Sequence, residues 1–117
     1  MSTKLKGAMG EAAAAEFLRN KKYRILSMNY RTRYGEIDII ASCKSQLAFV
    51  EVKLRSSRNF AEAFEYVDKR KQTKIRLTAE LWLSENETSL QPRFDVIEVY
   101  LGIDGQIGQI NHIINAF

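Results

Sequence analysis

The stretch GEIDIIASCKSQLAFVEVKL, residues 35–54, decides how this chain folds. Two of its segments, 35–41 and 47–54, are rich in β-branched and aliphatic residues and therefore predict strands. The link between them is short and polar, so an antiparallel hairpin is the economical connection. We expect the turn to be centred between Lys44 and Ser45, which determines the residues that face each other across the hairpin.

Four ionisable residues interrupt these otherwise apolar strands. Side chains alternate between the two faces of a strand, so Glu36 and Asp38 share a face, and Glu51 and Lys53 share a face. The predicted turn places Asp38 opposite Glu51 and Glu36 opposite Lys53. All four polar groups then meet on one side of the hairpin.

The opposite side of the hairpin is apolar in the same register. Ile37 falls opposite Val52 and Ile39 falls opposite Val50. A shift of one residue would turn the carboxylates toward the core, so the hydrophobic pattern favours this register independently of the turn.

Two carboxylates directly opposite each other on a sheet repel, unless a cation lies between them. Oxygen ligands of this kind suit Mg²⁺ or Mn²⁺, and we expect Asp38 and Glu51 to bind the ion. Lys53, on the same face, is placed to orient an attacking water or to stabilise charge on a phosphate. Glu11 of the first predicted helix is a further candidate at this face. The plainer alternative is a solvent-facing strand pair, stabilised by ~0.2–1 kcal/mol per cross-strand contact.

The periodicity of the remaining sequence predicts one α/β domain spanning residues 1–117, with a central mixed sheet flanked by helices. Residues 55–59 read as a loop and 60–66 as a helical turn, while Asp68 is a plausible N-cap. The element order is α-β-β-β-α-β-β. The expected helices are 7–20 and 68–85, and the expected strands are 23–30, 35–41, 47–54, 93–101 and 107–114, the last at an edge.

Charge is distributed unevenly along the 117 residues. The net charge is +4, but residues 1–76 carry +9 and residues 77–117 carry −5. A basic segment of this kind permits a nucleic-acid partner, although a solvated helix face is the simpler explanation for its lysines. The residues that we expect to contact nucleic acid are Arg31, Arg33, Arg55, Lys71, Gln72 and Lys74.

The lone Cys43 excludes an internal disulfide. No apolar run approaches the length of a membrane span, and the first residues lack the apolar stretch of a signal peptide. These features predict a cytoplasmic protein without a membrane partner. His112 is the only histidine and has no neighbours at metal-binding spacing, so a structural role is expected for it.

Asp38 together with Glu51-Val52-Lys53 resembles the bipartite PD-(D/E)xK motif of restriction-endonuclease-like nucleases. Four blocks in order, GAMGE at 7–11, GEIDII at 35–40, FVEVKLR at 49–55 and RFDVI at 93–97, resemble the YraN-like family of small bacterial proteins. That family is thought to share the fold of archaeal Holliday-junction resolvases.

The resemblance implies a metal-dependent nuclease acting on DNA, and on branched or otherwise structured DNA in particular. It assigns Asp38 and Glu51 as ligands of Mg²⁺ or Mn²⁺, Lys53 as the catalytic lysine and Glu11 as the glutamate of the first helix. Glu36 lies in the family block and is either a ligand or the partner of the lysine. Resolvases of this fold act as dimers, so the resemblance also implies a homodimer. The rival interpretations are a non-catalytic nucleic-acid-binding or adaptor module that keeps the fold and, with less support, a metal phosphoesterase of small molecules.

Overall fold

The computed structural model describes residues 3–56 and 67–117 of the chain. They form one α/β unit with the predicted order α-β-β-β-α-β-β. Its elements are α1 (Thr3–Asn20), β1 (Arg24–Thr32), β2 (Gly35–Cys43), β3 (Gln46–Ser56), α2 (Lys69–Glu85), β4 (Gln91–Leu101) and β5 (Ile107–Ile113).

The five strands form a single mixed sheet in sequence order, β1-β2-β3-β4-β5. Only β3 and β4 run parallel, and the other neighbours are antiparallel. The parallel pair requires a crossover, which contains α2. The expectation that the last strand lies at an edge is therefore confirmed.

Each face of the sheet carries one helix and one hydrophobic cluster. Ala14 and Leu18 of α1 pack on Ile39, Val50 and other residues of the first face. On the second face α2 packs through its buried residues against the alternate side chains of β2, β3 and β4; this cluster includes Ile40, Phe49, Ile75, Trp82 and Val96. The sheet is thus buried on both sides, as its long apolar runs require.

The predicted hairpin register is confirmed over the half of the hairpin nearest the turn. Ile39 pairs with Val50 and Cys43 pairs with Gln46, so Lys44 and Ser45 form the turn as expected. Lys44 adopts a φ of 55°, in the left-handed region that a tight turn uses.

Element boundaries differ from the predictions mainly by extension. The first helix begins at Thr3 instead of residue 7, and β3 continues to Ser56, so residues 55 and 56 of the expected loop are strand. Asp68 is the N-cap of α2, because its Oδ1 accepts a hydrogen bond from the Lys71 amide at 2.9 Å. The helical turn expected at 60–66 lies outside the described residues.

Gly35 starts β2 immediately after a two-residue turn, with a φ of 155°. Its α-carbon faces Lys74 and Thr78 of α2, each with a side-chain atom 3.6 Å from where a Cβ would lie. A Cβ here would make only ordinary van der Waals contact with the helix, so the positive φ is what favours glycine at this position. Within residues 3–56 and 67–117, no helix is long and apolar enough to cross a membrane.

Candidate metal centre

The ladder between β2 and β3 stops where the acidic residues begin. The last paired residues are Ile39 and Val50, and beyond them the Val52 amide donates a hydrogen bond of 2.8 Å to the Asp38 carboxylate. A side chain has thus replaced the backbone acceptor that a continuous ladder would offer. Opposite Asp38 on the other neighbouring strand, Asn29 has a φ of 55° and interrupts the regular conformation of β1.

This break overturns part of the predicted hairpin. Ile37 does not lie on the same face as Ile39, because it packs with Phe49 in the cluster beneath α2. The predicted pairings of Asp38 with Glu51, Glu36 with Lys53 and Ile37 with Val52 do not occur in the ladder. The regular alternation of side chains between the two faces of β2 fails at Asp38, because its carboxylate accepts a hydrogen bond from the backbone of β3.

The break gathers carboxylates from two elements. Glu11 of α1 and Glu36 and Asp38 of β2 each offer a carboxylate oxygen, and these oxygens lie within 4.8 Å of one another. All three residues are half-buried. Glu11 of the first helix thus lies beside the two acids of β2, and its role there stays a prediction.

The pKa of Asp38 is raised well above its ordinary value. Burial, together with repulsion from Glu51, Glu11 and Glu36, raises the pKa of Asp38 to about 7, although the Val52 amide opposes the change. Near neutral pH the carboxyl group therefore holds its proton readily in the absence of a neighbouring cation.

Glu51 lies on the next strand and is held by two lysines. Its side chain is 8% exposed, and its Oε1 lies 2.6 Å from the Lys71 Nζ and 3.8 Å from the Lys53 Nζ. Lys53 belongs to the same strand, whereas Lys71 reaches across from the first turn of α2. A buried carboxylate of this kind requires such charge compensation.

The two lysines have pKa values shifted in opposite directions. Burial and the adjacent Lys71 ammonium lower the pKa of Lys53, against the pull of Glu51. Burial alone would also lower the pKa of Lys71, but its hydrogen bond and charge interaction with Glu51 raise it instead. Lys71 is therefore the cation that neutralises Glu51 most effectively.

A cleft of about 590 Å³ lies between α2 and the break in the sheet, separate from a pocket beside α1 that Glu11 lines. Glu36, Asp38 and Glu51 lie on its strand side, so the two strands present their carboxylates to one space. The helix side is basic, with Arg70, Lys71 and Lys74. The cleft thus combines oxygen donors with an outer band of positive charge.

The other residues predicted to bind nucleic acid are spread more widely. Arg31 lies 3.4 Å from Glu36, and Arg33 donates a hydrogen bond to the Tyr34 hydroxyl. Arg55 is buried, its Nε lies 3.7 Å from the Glu98 carboxylate, and it lines a different pocket from Lys71 and Lys74. The side-chain amide of Gln72 donates a hydrogen bond to the Val67 carbonyl and supports the start of α2.

A second buried charged cluster was not predicted from the sequence. Asp95 of β4 is fully buried and accepts hydrogen bonds from the Arg93 guanidinium and the Asn115 amide, and its Oδ2 lies 2.8 Å from the His112 Nε2. Arg93 also donates to the Tyr23 hydroxyl. The sequence does contain one signal for the burial of Asp95, since by strand alternation this residue falls on the same face of β4 as the buried Ile97 and Val99. Its partners, apart from Arg93, come from other elements. His112 is therefore part of this buried cluster, through its contact with Asp95, which agrees with the structural role expected for it.

The donor set suits a hard divalent cation. Glu11, Glu36 and Asp38 supply only oxygen atoms, which Mg²⁺ and Mn²⁺ prefer, and no histidine or thiol is close by among the described residues of the cluster. Glu51 adjoins them but is engaged by lysine. Of the predicted ligands, Asp38 and Glu36 belong to this group of three carboxylates, whereas Glu51 does not, and Glu11 takes the third place.

Comparison with known proteins places the chain in a family. The model of the Uncharacterised protein family UPF0102 matches residues 10–99. A UPF0102 protein of Caldanaerobacter subterraneus is 46% identical over all of this chain and 98% of its own. A relative from Alkaliphilus oremlandii is 50% identical over 95% of this chain and 96% of its own, and one from Clostridioides difficile is 45% identical over the whole of both. The chain belongs to the UPF0102 family, the YraN-like group that its sequence blocks resemble.

Proposed function

We propose that this protein is a metal-dependent nuclease that hydrolyses phosphodiester bonds in DNA. One observation carries the proposal: carboxylate oxygens of Glu11, Glu36 and Asp38 lie within 4.8 Å of one another, and Glu36, Asp38 and Glu51 line a cleft with a basic helix side. A cluster of acids so close together is unfavourable without a cation. The neighbouring positive charge suits a polyanionic substrate.

Mg²⁺ or Mn²⁺ is the cofactor that fits these residues. Glu11, Glu36 and Asp38 would hold the ion, and Glu51 would join them once released from lysine. The bound ion would supply a Lewis acid for the phosphate and lower the pKa of a nearby water. The raised pKa of Asp38 means that this residue gives up a proton when the cation arrives.

The protein's own groups would position the substrate. Lys53 extends from β3 beside the carboxylates, with a lowered pKa and a side chain that is 27% exposed. From there its amine would orient the attacking water or neutralise charge that develops on the phosphate. Arg70 and Lys74 on the helix side would bind flanking phosphates, which makes substrate binding weaken as salt rises.

Branched or otherwise structured DNA is the substrate class proposed here. The described residues form one α/β unit, and recognition by that unit would depend on nucleic-acid shape. Two such subunits would be needed to cut two strands, which favours a homodimer. The absence of disulfide-forming pairs suits action on DNA in the cytoplasm.

One observation favours the alternative of a non-catalytic nucleic-acid-binding or adaptor module. Glu51 is already neutralised by an ion pair of 2.6 Å with Lys71, so the fold satisfies this acid without a metal. A module of this type would bind nucleic acid through the basic side of the cleft, and the carboxylates would have no catalytic role. The two functions differ in whether cleavage accompanies binding.

Replacing Lys53 by methionine separates these functions. We expect cleavage of a four-way DNA junction in Mg²⁺ or Mn²⁺ to fall by about 100-fold or more, because the amine beside the phosphate is lost. The metal should still bind, since the carboxylates remain. Gel assays on junctions, flaps, single strands and RNA measure the cleavage, and calorimetry measures Mn²⁺ binding.

Lys44→Met is the matched control, because Lys44 is exposed in the turn at the far end of the same hairpin. It should cleave as the wild-type protein does. Undiminished cleavage by Lys53→Met would contradict the assigned role. Binding of DNA without cleavage in either metal would establish the alternative.

A further inference from the structure

Lys71 has a role at the candidate metal centre that the nuclease resemblance does not assign. We propose that its ammonium is an internal counter-cation for Glu51, which a divalent cation must displace before Glu51 becomes a ligand. The inference rests on the proposed metal dependence and adds a step that regulates it. Its basis is the contact of 2.6 Å between Lys71 Nζ and Glu51 Oε1.

The contact satisfies a carboxylate that would otherwise be costly. The Glu51 side chain is 8% exposed, and its other lysine, Lys53, lies farther away at 3.8 Å. A buried acid without a partner is strongly destabilising, so the metal-free fold depends on Lys71 at this position. In the same fold, the neighbouring acid Glu36 has a more distant partner, the Arg31 guanidinium at 3.4 Å.

A divalent cation and the Lys71 ammonium are mutually exclusive neighbours of Glu51. Both are positive, and in a half-buried cleft their repulsion at a few ångströms is much stronger than in bulk water. A cation bound by Asp38 and Glu51 together would therefore expel the ammonium. The energy needed to break the ion pair is subtracted from the affinity for the metal.

Of the two lysines at Glu51, Lys71 is the one that can move away from it more easily. Its side chain is 44% exposed, compared with 27% for Lys53, and a long flexible stem carries its charge. Its backbone is held separately, because the Lys71 amide donates a hydrogen bond to the N-cap residue Asp68 at the start of α2. The ammonium can thus move away from Glu51, within the cleft that both residues line, while the helix stays in place. There it would meet an anionic substrate, so metal loading would prepare a phosphate contact.

Titration with Mn²⁺ tests the displacement directly in the full-length protein. Lys71→Met keeps the length of the side chain and removes its charge, and we expect it to bind Mn²⁺ about tenfold more tightly than the wild-type protein. Lys69→Met is the control, because it removes the same charge from the first turn of the same helix. We expect its affinity to change by about twofold or less, since Lys69 is exposed and more strongly screened.

Amine labelling of the wild-type protein provides a second measurement that needs no variant. Mn²⁺ should increase the reactivity of the Lys71 amine, measured by mass spectrometry, and leave the reactivity of the Lys69 amine unchanged. If the wild type binds Mn²⁺ but Lys71→Met binds it equally or more weakly, with no change in labelling, the counter-cation role is wrong and the proposed function stands. If neither protein binds Mn²⁺, both proposals are rejected.

Discussion

Asp38→Asn should abolish DNA cleavage while making the metal-free protein more stable at pH 8. The asparagine oxygen can still accept the hydrogen bond from the Val52 amide, so the local fold is retained. It cannot supply a negative charge to a metal, and we expect cleavage to fall by about 1,000-fold or more. The gain in stability arises because a site with a raised pKa disfavours the charged carboxylate.

The sign of the pH dependence follows from the two pKa values of Asp38. Its folded value is about 7, and its ordinary value is 3.8. The unfolded chain therefore loses this proton first, and the wild-type protein loses stability as the pH rises from about 4 to 7. Asparagine stays neutral, so its advantage should grow over that window to roughly 2 kcal/mol, a figure reduced for partial solvation.

Denaturant unfolding at pH 5 and pH 8 without metal measures this advantage. Asp104→Asn serves as the control, since Asp104 is exposed in the turn between the last two strands. Asp104→Asn should leave the free energy of unfolding unchanged at both pH values. Retained cleavage in Asp38→Asn would remove Asp38 from the metal site, and an advantage that shrinks toward pH 8 would contradict the strained carboxylate.

Asp95→Asn should be the most destabilising of the conservative substitutions considered, at about 3 kcal/mol or more. Asp95 is fully buried and compensates Arg93, with further contacts to His112 and the Asn115 amide. Removing its charge leaves a buried guanidinium without its carboxylate partner. Urea unfolding at pH 7 provides the measurement, and Asp104→Asn again provides the control.

The effect of Asp95 should depend on pH in the opposite sense to that of Asp38. Burial would raise the pKa of Asp95, but hydrogen bonds from His112, Arg93 and the Asn115 amide lower it below 3.8. Its stabilisation is therefore present above pH 4 and is lost as the pH falls through the lowered value. A difference between wild type and Asp95→Asn that persists undiminished at pH 2 would show that the charge is not the cause.

Much of the fold was predictable because it follows from local signals. The hairpin turn, the register from Ile39–Val50 to Cys43–Gln46 and the N-cap at Asp68 all depend on residues close in sequence. The element order followed from hydrophobic periodicity, and it is confirmed. Placing the acids of two strands in one region was predictable for the same reason.

The site's detailed contacts depend on long-range geometry that periodicity does not contain. Asp38 replaces a backbone acceptor, so strand alternation breaks there and Ile37 faces α2. Lys71 reaches Glu51 only because the crossover helix lies over that strand. Arg55, expected at a substrate surface, is buried beside Glu98 because its strand extends farther than the apolar run suggested.

The parallel pairing of β3 with β4 also has a consequence for the order in which the chain assembles. Every pair in that ladder joins residues about 45 positions apart, from Gln46–Gln91 to Ser56–Leu101. Closing such a loop costs about 3 kcal/mol of chain entropy, whereas the β2–β3 turn closes over two residues. Short-range contacts thus bring Asp38 and Glu51 together first, and the crossover delivers Lys71 afterwards, an order that pulse-labelled amide exchange reads directly. The acidic half of the cleft is a product of local folding, and its lysine partner is a product of topology.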